Sequence, residues 1–90
     1  MKKLKVYIAG PYSGGDVMEN IGYAIRVADT LMNEGFIPYI PHLSGFWHFH
    51  SHKEYKTWLQ YDMEWLKVCD AVFRLEGNSP GSDKEVKYAS

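Results

Sequence analysis

Three short apolar segments separated by helix-length stretches constrain the fold of this chain more than any other feature. The segments cover residues 4–9, 36–40 and 70–75, and the stretches between them have the apolar spacing of amphipathic helices. Strands joined through helices run parallel, and such crossovers are right-handed. The sequence therefore predicts an α/β fold of order βαβαβα, in which a short last helix follows the third strand.

Local signals predict where the two long helices begin and end. Asp16 and Glu19 form a capping box for the first helix, and Gly35 follows its last turn. A second capping box, Ser51 with Glu54, predicts the start of the helix that leads to the third strand. These signals satisfy the unpaired backbone groups at helix ends.

Three connections meet beyond the carboxyl ends of the predicted strands, where parallel sheets bind ligands. They are the glycine-rich residues 10–15, a long loop at residues 41–52, and residues 77–82 before the last helix. Pro38 lacks a backbone donor, so the strand that contains it is expected at an edge of the sheet.

Composition predicts one domain, residues 1–90, in the cytoplasm. The net charge of −1 comes without a basic patch, which argues against a nucleic-acid partner. The single cysteine, Cys69, cannot form an internal disulfide, and this favours an intracellular setting. The first strand begins too early for a signal peptide or a membrane span, so no membrane partner is expected.

Two carboxylates are the candidates for chemistry. Asp62 lies in the middle of the inward stripe of the second long helix, where an ionised group is costly unless it is paired or wet. Glu85 lies one turn into the last helix, where the helix dipole keeps a carboxylate ionised, as a nucleophile must be. Two carboxylates in different environments are typical of glycosidic bond cleavage. Structural alternatives remain: Asp62 bonds a backbone N–H or a tyrosine, and Glu85 forms a capping box with Ser82.

Aromatic and histidine residues supply further candidates. Tyr7, on the first strand, can orient a carboxylate through its hydroxyl, although a core tyrosine is the commoner case. Trp47 and Phe49, in the 41–52 loop, are expected to cover a flat nucleobase. His42 lies in the same loop, and a further three alternating histidines follow it: His48, His50 and His52. No carboxylate lies at a spacing from these histidines that is diagnostic of a set of metal ligands, so neither a metal nor another cofactor is predicted.

Four short motifs, in this order and spacing, resemble the nucleoside 2-deoxyribosyltransferase superfamily. They are Tyr-Ile-Ala-Gly-Pro at residues 7–11, Tyr-Asp-Met-Glu-Trp-Leu at 61–66, Cys-Asp-Ala-Val at 69–72 and Ser-Pro-Gly-Ser-Asp-Lys-Glu at 79–85. The resemblance is closest to a small phage and bacterial branch of that superfamily, and next to the deoxynucleoside 5′-monophosphate N-glycosidases.

The resemblance implies a flavodoxin-like, three-layer α/β/α fold with strand order 2-1-3 and an enzyme that cleaves an N-glycosidic bond. By the residues that match, Glu85 attacks C1′ of the sugar and forms a glycosyl ester. Asp62 protonates or positions the leaving base, and Tyr7 holds the nucleophile. A second base or water then takes the sugar.

The resemblance also indicates the substrate class. Ser79 stands where transferases of free nucleosides carry an aspartate and where the monophosphate glycosidases carry a serine, which favours a nucleoside 5′-monophosphate. Gly10, Ser13 and Gly81 are expected to bring backbone close to the sugar or phosphate, with Trp47 and His42 as further substrate-binding residues. Ser13 replaces the arginine with which the glycosidases bind phosphate.

A homodimer or a higher homo-oligomer is expected, because a three-stranded sheet leaves apolar surface open. Two alternatives to an enzyme share the same fold. One is a binding module that holds a nucleotide without cleaving it, and the other is a structural or interaction protein.

Overall fold

A parallel sheet of three strands organises the protein. The computed structural model describes residues 3–12 and 15–76. The strands are β1 (Lys5–Ala9), β2 (Ile37–Tyr39) and β3 (Ala71–Arg74), in the order β2-β1-β3. The predicted parallel sheet and its 2-1-3 order are thus confirmed. The register places Tyr7 of β1 beside Tyr39 of β2 and Val72 of β3.

The first helix, α1 (Val17–Asn33), has the ends that the sequence predicts. Asp16 Oδ1 accepts a hydrogen bond of 3.1 Å from the backbone N–H of Glu19. Gly35 has a φ of 95°, and its backbone N–H donates to the Met32 carbonyl over 3.0 Å. The Phe36 N–H reaches back to the Leu31 carbonyl, which completes a Schellman motif. The left-handed backbone at this position favours glycine.

Residues 41–52 were predicted as a loop, and this prediction is wrong for residues 41–50. They form a 3-10 helix (Pro41–Leu43) and then α2 (Ser44–His50). The Ser51–Glu54 capping box is also wrong, because α3 spans Tyr55–Val68 and Glu54 is its N-cap without a side-chain hydrogen bond. Ser51 instead ends α2, where its backbone N–H donates to the Trp47 carbonyl over 2.9 Å.

Helices cover both faces of the sheet, which makes three layers. Ile8 of β1 points to α1 and packs with Ala24, Ala28 and Leu75. Tyr7 and Ala9, which alternate with Ile8, point to α3 and pack with Leu66. Alternation along β1 therefore divides the core into an α1 face and an α3 face.

The edge strand β2 contains Pro38, as predicted. Proline has no backbone N–H to donate to a neighbouring strand. A strand at the edge of a sheet pairs on one side only, so it needs fewer backbone donors. Among the helices that the structure describes, none has the length and apolar character needed to cross a bilayer.

Candidate functional site

Residues 10–12, at the start of the first loop, pack closely against their neighbours at the carboxyl end of the sheet. A Cβ atom on Gly10 would lie 2.6 Å from Cβ of Leu75, and one on Gly45 would overlap the Tyr12 hydroxyl. Asn20 Nδ2 donates a hydrogen bond of 2.8 Å to the Tyr12 carbonyl, which ties the loop to α1. Gly10 thus lets the backbone approach the end of β3, a role that the packing itself requires.

His42 lies under this loop, in the 3-10 helix. Its side chain is 3% exposed, and neither ring nitrogen makes a hydrogen bond among the residues that the structure describes. Burial lowers the pKa of His42, and the nearby backbone of Gly10 and Pro11 only partly opposes that shift. The imidazole is therefore held in its neutral form.

The structure brings Tyr7 and Asp62 to the same face of the sheet. Tyr7 is fully buried in the α3 face, and its ring centroid lies 5.6 Å from that of Tyr39. Asp62 lies on α3 with Oδ1 shielded from solvent. Its charge helps to raise the pKa of Tyr39. Two of the three residues predicted to be catalytic therefore lie beside the same tyrosine.

Tyr39 is the residue that connects this group. Burial is the main cause that raises the pKa of Tyr39, followed by the charges of Asp62 and Tyr61. A hydrogen-bonding interaction with the Ser44 side chain partly opposes the shift. The Tyr39 ring stacks on Trp65 at a centroid distance of 5.1 Å and an interplanar angle of 18°. The phenol thus stays protonated and is held in a fixed orientation.

Trp47 lines a cavity of about 370 Å³ next to the carboxyl end of β2. Tyr39 and Tyr61 are its other aromatic walls, and Ser44 contributes a hydroxyl. Phe49, which was predicted to act together with Trp47, is 77% exposed and does not line the cavity. The helical path of α2 explains the difference, because it points these two side chains in different directions.

The histidines after His42 do not align. His48 Nδ1 accepts hydrogen bonds from Trp58 Nε1 over 2.9 Å and from the Lys53 backbone N–H over 3.2 Å. His48 and His52 pack ring to ring at 4.6 Å. Within residues 3–12 and 15–76, no three His, Cys, Asp or Glu side chains form a group that could hold a metal ion. His48 instead joins α2 to α3.

Four of the predicted site residues lie outside the described residues: Glu85, Ser79, Gly81 and Ser13. The same holds for the predicted 77–82 loop and the last helix. The structure therefore describes the other five predicted site residues, which are Tyr7, Asp62, Gly10, Trp47 and His42.

Three residues of this region were not singled out from the sequence: Tyr39, Ser44 and Tyr61. Tyr61 directly precedes Asp62, so its proximity to the carboxylate was available as a signal. Tyr39 meets Tyr7 only through the strand register, and Ser44 reaches Tyr39 only because the chain turns into a 3-10 helix after β2. The sequence gives no direct signal for either contact.

The chain belongs to a family described as a domain of unknown function (DUF7768), whose model matches residues 4–90. No curated protein matches the sequence. The family match includes both the region around Tyr39 and the stretch that carries Glu85.

Proposed function

We propose that the protein is a cytoplasmic enzyme that cleaves, or transfers at, the N-glycosidic bond of a nucleoside 5′-monophosphate or nucleoside. Glu85 attacks C1′ of the sugar, the bond from C1′ to the base nitrogen breaks, and its electron pair leaves with the base. Asp62 supplies the proton that the departing base needs. Water or a second base then attacks C1′ and releases the Glu85 carboxylate.

One observation carries this proposal. Tyr7 and Asp62 are far apart in sequence, yet both lie on the α3 face beside Tyr39. The Oδ1 atom of Asp62 is shielded from water there, which suits a group that exchanges protons with a substrate. The resemblance of the 79–85 motif supports Glu85 as the nucleophile, and that of the 7–11 motif supports Tyr7 as its positioning residue.

The proposed enzyme is a homodimer or a higher homo-oligomer. Ile37, in the edge strand β2, is 45% exposed, and an apolar edge of this kind favours pairing with a second copy. A neighbouring copy would also be able to supply the phosphate ligand that Ser13 does not.

The test is a panel of nucleosides and nucleoside 5′-monophosphates assayed for free base by chromatography. The wild type is expected to release base, and the Glu85→Gln and Asp62→Asn variants are expected to lose at least a hundredfold in rate. Glu64→Gln is the matched control, because Glu64 lies on α3 but its exposed carboxylate pairs with Lys67 at 2.9 Å. Its rate should stay within about twofold of the wild-type rate.

Base release that continues unchanged in Glu85→Gln would remove Glu85 from the mechanism. Nucleotide binding without base release would instead support the non-catalytic module. Faster release from monophosphates than from nucleosides would support the assignment of Ser79 to the phosphate.

A further inference from the structure

The cavity beside β2 has the size of a site for a small ligand. Its volume of about 370 Å³ lies near the lower end of the range for ligand pockets, which is roughly 300–1,000 Å³. Aliphatic side chains also line it, namely Pro38, Ile40 and Leu43. It is large enough for one heteroaromatic ring system with part of a sugar.

The aromatic walls hold each other in place. The Trp47 ring meets the Tyr61 ring at 5.6 Å and 83°, and the Trp58 ring at 5.1 Å and 76°. Edge-to-face contacts of this kind are favourable, so Trp47 is oriented without a ligand. A wall that is already ordered costs less entropy when a flat ring packs against it.

The lining of the cavity includes two hydroxyl residues. The Tyr39 hydroxyl interacts with the Ser44 side chain, and both residues line the cavity. A protonated phenol and a serine hydroxyl offer donors and acceptors to an uncharged partner. They suit the polar edge of a base better than a phosphate, because none of the described residues that line the cavity is a cation.

We propose that this cavity recognises the base of the substrate: a purine or pyrimidine ring packs against Trp47 and Tyr61, and Tyr39 with Ser44 hydrogen bonds its polar edge. The inference rests on the proposed function, which it deepens by assigning base recognition to Tyr39, Ser44 and Tyr61. The position fits that role, because Asp62, the proposed proton donor to the base, lies next to Tyr39.

The test measures affinity for the free bases adenine, hypoxanthine, cytosine and thymine by titration calorimetry, with deoxyribose 5-phosphate as a probe that lacks a base. Trp47→Ala is expected to weaken binding of at least one base about tenfold or more, the size of a lost base–aromatic contact. Tyr39→Phe removes only the hydroxyl and should weaken it about fivefold. Affinity for deoxyribose 5-phosphate should not change in either variant.

Matched controls separate the cavity from the rest of the surface. Phe49→Ala makes a comparable truncation on α2 outside the cavity, and Tyr55→Phe removes a hydroxyl from a residue that is 69% exposed at the start of α3. Both should bind the bases as the wild type does. Thermal unfolding of each variant identifies any that is not folded. If Trp47→Ala does not fold, the roughly fivefold effect expected of the conservative Tyr39→Phe variant still tests the inference.

The outcomes distinguish this inference from the proposed function. Equal base affinity in Trp47→Ala and Phe49→Ala, or no binding of any base by the wild type, overturns the inference. Base release whose KM is unchanged by Tyr39→Phe and by a folded Trp47→Ala overturns the inference and leaves the glycosidase standing. Trp47-dependent base binding without base release from any nucleoside supports the cavity and removes the glycosidase.

Discussion

The two faces of the sheet are built from different chemistry. The α1 face packs Ile8 and Leu75 against Ala24 and Ala28, whose small side chains let the helix approach closely. The α3 face also packs apolar side chains, including Ala9, Leu66 and Met63, but it adds aromatic and polar groups that the α1 cluster has in smaller number. It gathers three phenols, one indole, one carboxylate and one thiol around β1 and β2: Tyr7, Tyr39, Tyr61, Trp65, Asp62 and Cys69.

This difference separates what stabilises the fold from what can do chemistry. Aliphatic packing gains free energy from burial and needs no specific partner. Buried hydroxyls and carboxylates lose free energy unless each meets a partner in suitable geometry. If the proposed function is correct, the α1 face contributes mainly to stability and the α3 face contributes the site.

The largest predicted effect tests the α1 face. Ile8 is fully buried, and Ile8→Ala is expected to lower the free energy of unfolding by about 2–5 kcal/mol, through lost burial and the cavity left behind. Tyr7→Phe, at the neighbouring and equally buried position on the α3 face, should lower it by less than about 1.5 kcal/mol. Urea denaturation followed by circular dichroism measures both.

The same two variants are expected to rank in the opposite order when activity is measured instead of stability. Tyr7→Phe is expected to slow base release by at least about tenfold, whereas folded Ile8→Ala should keep its rate within a few-fold. A Tyr7→Phe protein with normal activity and greatly reduced stability would contradict the division between the faces.

A smaller effect is expected where α2 joins the α3 face. Trp58 Nε1 donates to His48 Nδ1 over 2.9 Å. A double-mutant cycle with Trp58→Phe and His48→Phe should give a coupling free energy of about 1 kcal/mol, the net contribution of one hydrogen bond. The free energy of unfolding of the four proteins measures it.

Additive effects of the two substitutions would mean that the hydrogen bond contributes nothing to the attachment of α2. In that case the ring contacts of Trp47 with Trp58 and Tyr61 would be the interactions that hold α2 in place. The His50→Phe substitution, made on α2 in place of His48→Phe, provides the uncoupled reference for the cycle.

Much of the sheet was predictable because local signals and topology agree. Asp16, Gly35 and Pro38 each occupy a position that their own backbone chemistry favours, and the apolar segments leave few arrangements for three parallel strands. Residues 41–50 were missed for the opposite reason. Their glycine, histidines and aromatic residues form helices weakly, so contacts such as Trp47 with Trp58 hold α2 in its helical form.

The candidate site was predictable only in part. Asp62 was found because a carboxylate interrupts an apolar stripe, which periodicity shows directly. Tyr39 and Ser44 became visible only through the strand register and the turn after β2, both of which are tertiary properties.

His42 is an exception to the aliphatic packing on the α1 side of the sheet. It is a buried titratable group in the 3-10 helix that contacts α1. Burial lowers its pKa in the folded protein, so as the pH falls through about 6.5 the unfolded chain binds a proton that the folded chain does not. Stability should therefore fall with falling pH, by up to about 1 kcal/mol between pH 7 and 5.5.

His42→Gln cannot take up that proton and should flatten the pH dependence of stability, measured by urea denaturation at each pH. His50→Gln, at an exposed position of α2, should retain it. An unchanged slope in His42→Gln would mean that His42 meets water or a partner in solution, and that the α1 side of the sheet is not as dry as its aliphatic packing indicates.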